Sequence, residues 1–158
     1  MRTNTKLLAV GLVVLCSVVS PLISGAIGET ADKELNKFQG TWVMVSGDWD
    51  GKKIADADVS KSKITYEGNK GQLTVPHQSK ETIFFDIIKL DPSKSPKEFQ
   101  FIRRTGPSAG KTIKAIYEFD GNDQFKFAFD PTAATTPKDF TAKAGTGQIR
   151  QTWKRVKP

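Results

Sequence analysis

The chain has 158 residues, a single cysteine, and 24 basic against 17 acidic residues. One cysteine excludes an internal disulfide and a thiolate metal site, so stability must come from packing, and the length suits one domain. The basic residues are spread along the sequence, which favours solubility and weak attraction to anionic polymers or envelope surfaces over a specific nucleic-acid site.

The N-terminal segment has the order of a secretory signal peptide, residues 1–26. Arg2 and Lys6 precede an apolar run over 7–19, and small residues at 24–26 predict cleavage after Ala26. We therefore expect a secreted or periplasmic mature domain over 27–158, without a membrane span after cleavage; the alternative is an uncleaved anchor. Cys16 follows a leucine inside the apolar run, which argues against lipidation.

The mature segment begins with a short helix near Thr30, over 29–37, and then changes to strands. Short runs rich in β-branched and aromatic residues, separated by turn residues, predict an all-β domain. The predicted strands, eight in number, are Thr41–Asp48, Lys63–Glu67, Gln72–Val75, Glu81–Leu90, Glu98–Arg104, Thr112–Phe119, Gln124–Phe129 and Gln148–Val156.

Turn chemistry predicts how these strands connect. The segments 50–51, 69–71 and 120–122 contain Asn, Asp or Gly residues that tolerate positive φ, as tight hairpins require. Sequential pairing follows, giving an eight-stranded antiparallel up-and-down barrel. The wider loops are expected to line one mouth of the barrel; they are 91–96, 105–110 and 130–147.

Alternation of side chains predicts the inward face of each strand. Residues 113, 115, 117 and 119 share one phase, as do Phe125, Phe127 and Phe129. The strand over 81–90 carries apolar residues in both phases, so we expect an apolar element such as the N-terminal helix to cover its outer face.

A pair of residues on the first and last strands is expected to close the barrel. Trp42 lies low on the first strand, and Arg155 shares the inward phase of the last strand with Ile149 and Trp153. The two side chains can meet as a cation–π pair only if the sheet closes on itself. We therefore predict that Trp42 and Arg155 join the barrel's two terminal strands.

The run Phe38-Gln39-Gly40-Thr41-Trp42 resembles the opening strand of lipocalin-type barrels. Most of the mature chain resembles the small secreted lipocalin-like domains common in planctomycete bacteria. The further segments that carry this resemblance are 90–97, 110–112, 116–121, 137–140 and 145–147. The chain departs from that pattern at Ala128, where a cysteine is usual, and at Thr136, where an arginine is usual. The family has no established function, so the resemblance implies the barrel and supplies no catalytic residues.

Motifs that would indicate catalysis or a metal are weak. The segment 106–112 resembles a phosphate-binding loop, but its spacing is short and it leads into a strand. His77 is the single histidine and is interpreted as a solvated loop residue without metal-ligand partners. The aspartates at 48, 50, 56 and 58 are interpreted as turn residues. We predict no enzyme activity, no metal and no cofactor.

Two hypotheses of function remain open. In the first, inward aromatic residues bind a small apolar or amphipathic molecule inside the barrel. The residues expected to do so are Tyr66, Phe101, Tyr117 and Phe127. In the second, these aromatics fill the interior, and an envelope-associated interaction protein acts through its basic surface and loops.

Overall fold

The computed structural model describes residues 24–157. Two helices and nine strands follow in chain order. They are α1 (Ser24–Phe38), β1 (Gly40–Trp49), β2 (Lys52–Lys53), α2 (Asp56–Val59), β3 (Lys63–Glu67), β4 (Lys70–Thr74), β5 (Ile83–Asp91), β6 (Lys97–Arg103), β7 (Thr112–Asp120), β8 (Gln124–Phe129) and β9 (Ile149–Arg155).

The strands form a closed antiparallel barrel, which confirms the predicted fold. Eight strands, β1 and β3 to β9, pair in sequential order, and β9 pairs back onto β1. The ninth strand, β2, pairs with β1 at Asp48 and Trp49, so it extends one edge of the mouth without entering the ring. This two-residue strand and α2 were not predicted.

The interior is built from alternating side chains, as predicted. On β8, Phe125, Phe127 and Phe129 are all buried, and β9 places Ile149 and Trp153 beside them. Two register shifts interrupt the ladder, one on β1 between Met44 and Ser46 and one on β5 between Ile87 and Lys89. Such bulges increase the local twist and help a sheet to curve.

Helix α1 closes one end of the barrel, which we call the helix end. Its last residue, Phe38, is fully buried and packs against Tyr66, Tyr117 and Phe125 from three different strands. The Phe38 carbonyl accepts a 2.7 Å hydrogen bond from the indole Nε1 of Trp42. The helix therefore continues directly into the barrel core.

Two expectations about loops are wrong: the wider loops do not all lie at one mouth of the barrel, and the turn between β3 and β4 does not lie at 69–71. Because neighbouring strands are antiparallel, the loop over 92–96 lies at the helix end, whereas the loops over 104–111 and 130–148 lie at the opposite end. We call that opposite end the loop end. The β3–β4 turn places its positive φ at Gly68, before the predicted segment 69–71, and Gly71 belongs to β4.

The outer face of β5 is not covered as predicted. Phe84 and Ile88 are 47% and 52% exposed, because α1 lies across the end of the barrel and not along its side.

Most of the predicted signal peptide, residues 1–23, lies outside the described residues, and the predicted cleavage site after Ala26 falls in the first turn of α1. Within the described range, none of the helices has the length and apolar character needed to span a membrane.

Candidate functional site

A surface pocket with a volume of about 460 Å³ opens at the loop end. We call it the loop-end pocket. Its walls come from the β1–β2 hairpin, the start of α2 and the loop that follows β4. The lining residues are Trp49, Asp50, Lys52, Lys53, Ile54, Ala55, Asp58 and His77.

The β1–β2 hairpin holds one wall of this pocket in place. Asp50 and Gly51 both adopt positive φ, at 51° and 77°, which brings β2 back along β1. The Asp50 carboxylate accepts a 2.8 Å hydrogen bond from the Gly147 amide, tying the hairpin to the long loop before β9. Ile54 then packs inward over Gly47, where a Cβ would collide with it.

His77 joins the pocket to a buried polar cluster beneath it. Its ring makes an edge contact with Trp49 at a centroid distance of 6.3 Å. Its Nε2 lies 3.4 Å from the amide nitrogen of Gln78 and 3.3 Å from that of Gln151. Both neighbours are amide nitrogens, which donate, so Nε2 accepts and the proton of the neutral ring is on Nδ1, which is buried without a partner among residues 24–157.

The environment of His77 favours its neutral form. Burial lowers the pKa of His77, and the nearby charge of Asp58 opposes this only in part. His77 lies in a loop, as predicted, but it is half-buried, and its ring nitrogens face the buried polar cluster and not solvent.

Arg103 is the most buried cation of the loop end, at 1% exposure. Its Nη1 donates to the Pro107 carbonyl at 2.9 Å, and its Nη2 donates to Oε1 of Gln78 at 2.8 Å. Its guanidinium carbon lies 5.7 Å from the centroid of Phe129, while its Nε has no hydrogen-bond partner in the described part of the chain. Burial lowers the pKa of Arg103 to about 10, so the group is still charged at neutral pH.

The barrel interior below Arg103 is filled by side chains. The free space there is about 10 Å³, whereas drug-sized ligands occupy pockets of about 300–1,000 Å³. Tyr66, Phe101 and Phe127 line this small space, and the rings of Phe99 and Phe85 pack against them. The predicted role of these residues in ligand binding stays a prediction, and this packing leaves no room for a ligand between them.

Tyr117, the fourth predicted ligand residue, lies opposite Phe127 in the β7–β8 ladder and, like Tyr66, packs against Phe38 at the helix end. It is fully buried against Phe38 and Phe119. Burial and the neighbouring charge of Glu34 raise the pKa of Tyr117. Glu34 itself is bound by Lys97 at 2.6 Å and Lys37 at 2.9 Å, whereas the buried hydroxyl of Tyr117 has no hydrogen-bond partner among the described residues.

The predicted contact between Trp42 and Arg155 is confirmed. The two residues are opposite each other in the β1–β9 ladder, and the guanidinium carbon lies 4.1 Å from the centroid of the indole ring. Arg155 also donates to the carbonyls of Lys37 and Asn122, at 2.7 Å and 3.0 Å, and to that of Gln39.

The weak motifs have structural roles. The segment 106–112 connects β6 to β7, and Gly106 adopts a φ of 75° against Ile83. Of the aspartates near the first turn, Asp48 pairs with Arg150 and Asp56 with Lys53. No group of three or more His, Cys, Asp or Glu residues suited to a metal is found within residues 24–157.

The polar cluster of Gln78, Arg103 and Gln151 was not predicted. One signal was available, because Phe99, Phe101 and Arg103 follow the same alternation along β6, which places a cation on the inward phase. Gln151 shares the inward phase of β9 with Trp153 and is fully buried. Gln78 lies in a loop, and its inward position follows from no periodicity.

Comparisons with protein-family models, with curated proteins and with solved structures yield no match for this chain. The resemblance to the planctomycete lipocalin-like family therefore stays a prediction. The barrel itself rests on the strand pairing described above.

Proposed function

We propose that the protein is a binding module for a small amphipathic molecule, which it holds in the loop-end pocket. The observation that carries this proposal is the volume of about 460 Å³ beside an exposed indole. That volume lies within the range of ligand sites, about 300–1,000 Å³. The proposal keeps the predicted class of ligand but moves it from the filled barrel interior to the mouth.

The pocket offers an apolar surface to such a ligand. Trp49 is 38% exposed, and Ile54, which lies beside it, is 5% exposed. A rigid indole provides a large contact area at small conformational cost, and ligand burial against it replaces exposed apolar surface. An aromatic or compact aliphatic group is therefore the part of the ligand that fits this wall.

The rim of the pocket carries charge that suits the polar part of the ligand. Lys52 and Lys53 both line it and are exposed. Lys53 is engaged with Asp56 at 2.7 Å, which leaves Lys52 as the cation better able to meet an anionic group. Such exposed charges contribute mainly to approach and orientation.

We propose binding without catalysis. His77 is the one histidine of the chain, and its Nε2 already accepts from the amides of Gln78 and Gln151. A general base must offer a free lone pair to the proton that it removes. In this arrangement the lone pair faces the polar cluster and not the pocket.

The proposal includes export to the periplasm or the medium, as the basic and apolar segments within residues 1–26 suggest. Cleavage after Ala26 would keep Phe38 and most of α1. The ligand would then be one found outside the cytoplasm.

The test is a titration of the purified protein with the neutral probe 1-naphthalenemethanol, in which binding is measured by calorimetry. We expect saturable binding that Trp49→Ala abolishes. Phe84→Ala is the matched control, because Phe84 is an exposed aromatic residue outside the pocket. Absence of saturable binding, or equal loss in both variants, would contradict the proposal.

The filled interior favours a second candidate function, an envelope-associated interaction protein. After removal of residues 1–26, 22 basic and 17 acidic residues would give a net charge of +5. This candidate predicts salt-sensitive sedimentation with phosphatidylglycerol vesicles and no uptake of the naphthalene probe. The reverse outcome, probe binding without vesicle binding, favours the first proposal.

A further inference from the structure

The charge of Arg103 is not neutralised within the described part of the chain. The side chain is 1% exposed, and no carboxylate of residues 24–157 forms an ion pair with it; its hydrogen bonds go to a carbonyl and to an amide. An unpaired buried charge is costly, and buried cations normally have anionic partners. The buried guanidinium therefore provides the positive charge and the hydrogen-bond donors of an anion-binding site.

The geometry of the free donor identifies the edge that an anion would take. In a guanidinium, Nε and Nη2 point to the same side and form an edge that matches the two oxygens of a carboxylate. At Arg103 this edge is half used, because Nη2 donates to Gln78 at 2.8 Å while no described residue accepts from Nε. The opposite side, Nη1, is held by the Pro107 carbonyl.

The side-chain amide of Gln78 occupies that edge, where an anion would be a stronger partner for the guanidinium. The Gln78 amide oxygen accepts from Nη2 alone, and a neutral amide oxygen is a weaker acceptor than a carboxylate. Gln78 belongs to the loop over 75–82, where its backbone amide donates to the Val75 carbonyl at 2.9 Å. Its side chain can leave Arg103 without breaking a strand of the barrel.

We propose that Arg103 binds the carboxylate of a small carboxylic acid, and that the Gln78 side chain is an internal competitor which this carboxylate displaces. The inference rests on the proposed function, since it names the charged group of the molecule held at the loop end. His77 lies between the two sites, because it lines the pocket and hydrogen-bonds to Gln78.

The packing also fixes the direction of the ligand. Below Arg103 the interior leaves about 10 Å³, too little for an alkyl or aryl group. The carboxylate must therefore be the inner end of the ligand, and its apolar body must extend outwards to Trp49 and Ile54. Long-chain acids that need a deep barrel are excluded by this arrangement.

The experiment compares 1-naphthoate with 1-naphthamide, which has the same ring without the charge. Binding to the purified, ¹⁵N-labelled protein is measured by calorimetry and by the Arg103 Nε–H resonance, assigned from its loss in Arg103→Lys. We expect naphthoate to bind about tenfold or more tightly than naphthamide. Only naphthoate should shift the Arg103 resonance, because only the carboxylate meets the free Nε–H.

Variants of Gln78 test the competition without removing the buried cation. Gln78→Ala removes the competitor and should tighten naphthoate binding. Gln78→Glu supplies an internal carboxylate and should abolish naphthoate binding while raising the melting temperature. A purely structural role for Gln78 predicts weaker binding in both variants.

The outcomes separate this inference from the proposed function. Equal affinity for the two probes, with both lost in Trp49→Ala, would overturn the role of Arg103 and leave the loop-end pocket as the site. Unchanged naphthoate binding in Gln78→Glu would also overturn it. Binding of neither probe would contradict the proposed function and the inference together.

Discussion

The guanidinium of Arg155 lies over the indole of Trp42, with its central carbon 4.1 Å from the ring centroid. This contact joins the first and last strands of the barrel at the point where α1 enters it. The same guanidinium donates to carbonyls that precede β1 and precede β8. One side chain thus connects the helix, the closing strand pair and a hairpin turn.

Replacing Trp42 with alanine should destabilise the barrel severely. The indole is fully buried, and its removal leaves a large void, for which we expect a loss of about 3–5 kcal/mol in the free energy of unfolding. Arg155→Met keeps much of the side-chain volume and removes the charge, with an expected loss of about 1–3 kcal/mol. Urea unfolding measures both. A larger loss for Arg155→Met than for Trp42→Ala would contradict this order.

Gly71 is expected to be intolerant of any side chain. It lies in β4 with the ring of Phe85 directly over its backbone, so a Cβ would overlap the ring. Gly71→Ala should cost about 1–3 kcal/mol. Phe85→Leu should reduce that cost in the double variant, because the smaller side chain vacates the space. Additive losses in the double-mutant cycle would show that the clash is not the cause.

Asp130 should contribute a pH-dependent share of stability. Burial opposes its ionisation, but hydrogen bonds from Thr132 and Thr135 outweigh this and lower its pKa. The folded pKa is below the unfolded one, so the contribution is present above about pH 4 and is lost as pH falls through the folded pKa. We expect the stability difference between the wild type and Asp130→Asn to shrink on acidification. A difference that grows at low pH would refute this sign.

His77 should titrate below the ordinary histidine range. Its pKa is lowered by burial, and a proton on Nε2 would face the amide donors of Gln78 and Gln151. The chain has one histidine, so a single ε1 proton signal reports it in NMR. We expect a midpoint below 6.5 in the folded protein, returning towards it in urea. A folded midpoint above the unfolded one would contradict the described cluster.

Export should remove the N-terminal segment. The basic and apolar residues before Ala26 predict a mature protein beginning at Ile27. N-terminal sequencing of the exported protein measures this directly. A retained Met1, or a start far from Ile27, would be inconsistent with the prediction.

The sequence was sufficient for the barrel because its information is local. Alternation on β7 and β8 identified the inward phases around Tyr117 and Phe127, and the Asp120-Gly121 turn identified the hairpin between these two strands. The Trp42–Arg155 contact followed from the inward phase of both residues together with the closure of the sheet into a barrel. Strand ends differed by a few residues, since side-chain pattern does not show where a ladder of backbone hydrogen bonds stops.

The site could not be predicted in the same way. Whether the barrel is hollow depends on how aromatic rings from several strands interlock, and the phase of Phe101 or Tyr66 is the same in either case. His77 and Gln78 turn inward because their loop folds over Arg103. Such tertiary contacts have no periodic signal in the sequence.

The position of a bound ligand tests the central claim most directly. In a complex with 1-naphthoate, intermolecular nuclear Overhauser effects from the naphthalene protons identify the neighbouring side chains. We expect contacts with Trp49 and Ile54 at the loop end. Contacts with Tyr66 and Tyr117 would instead place the ligand inside the barrel and contradict a filled interior with its binding site at the mouth.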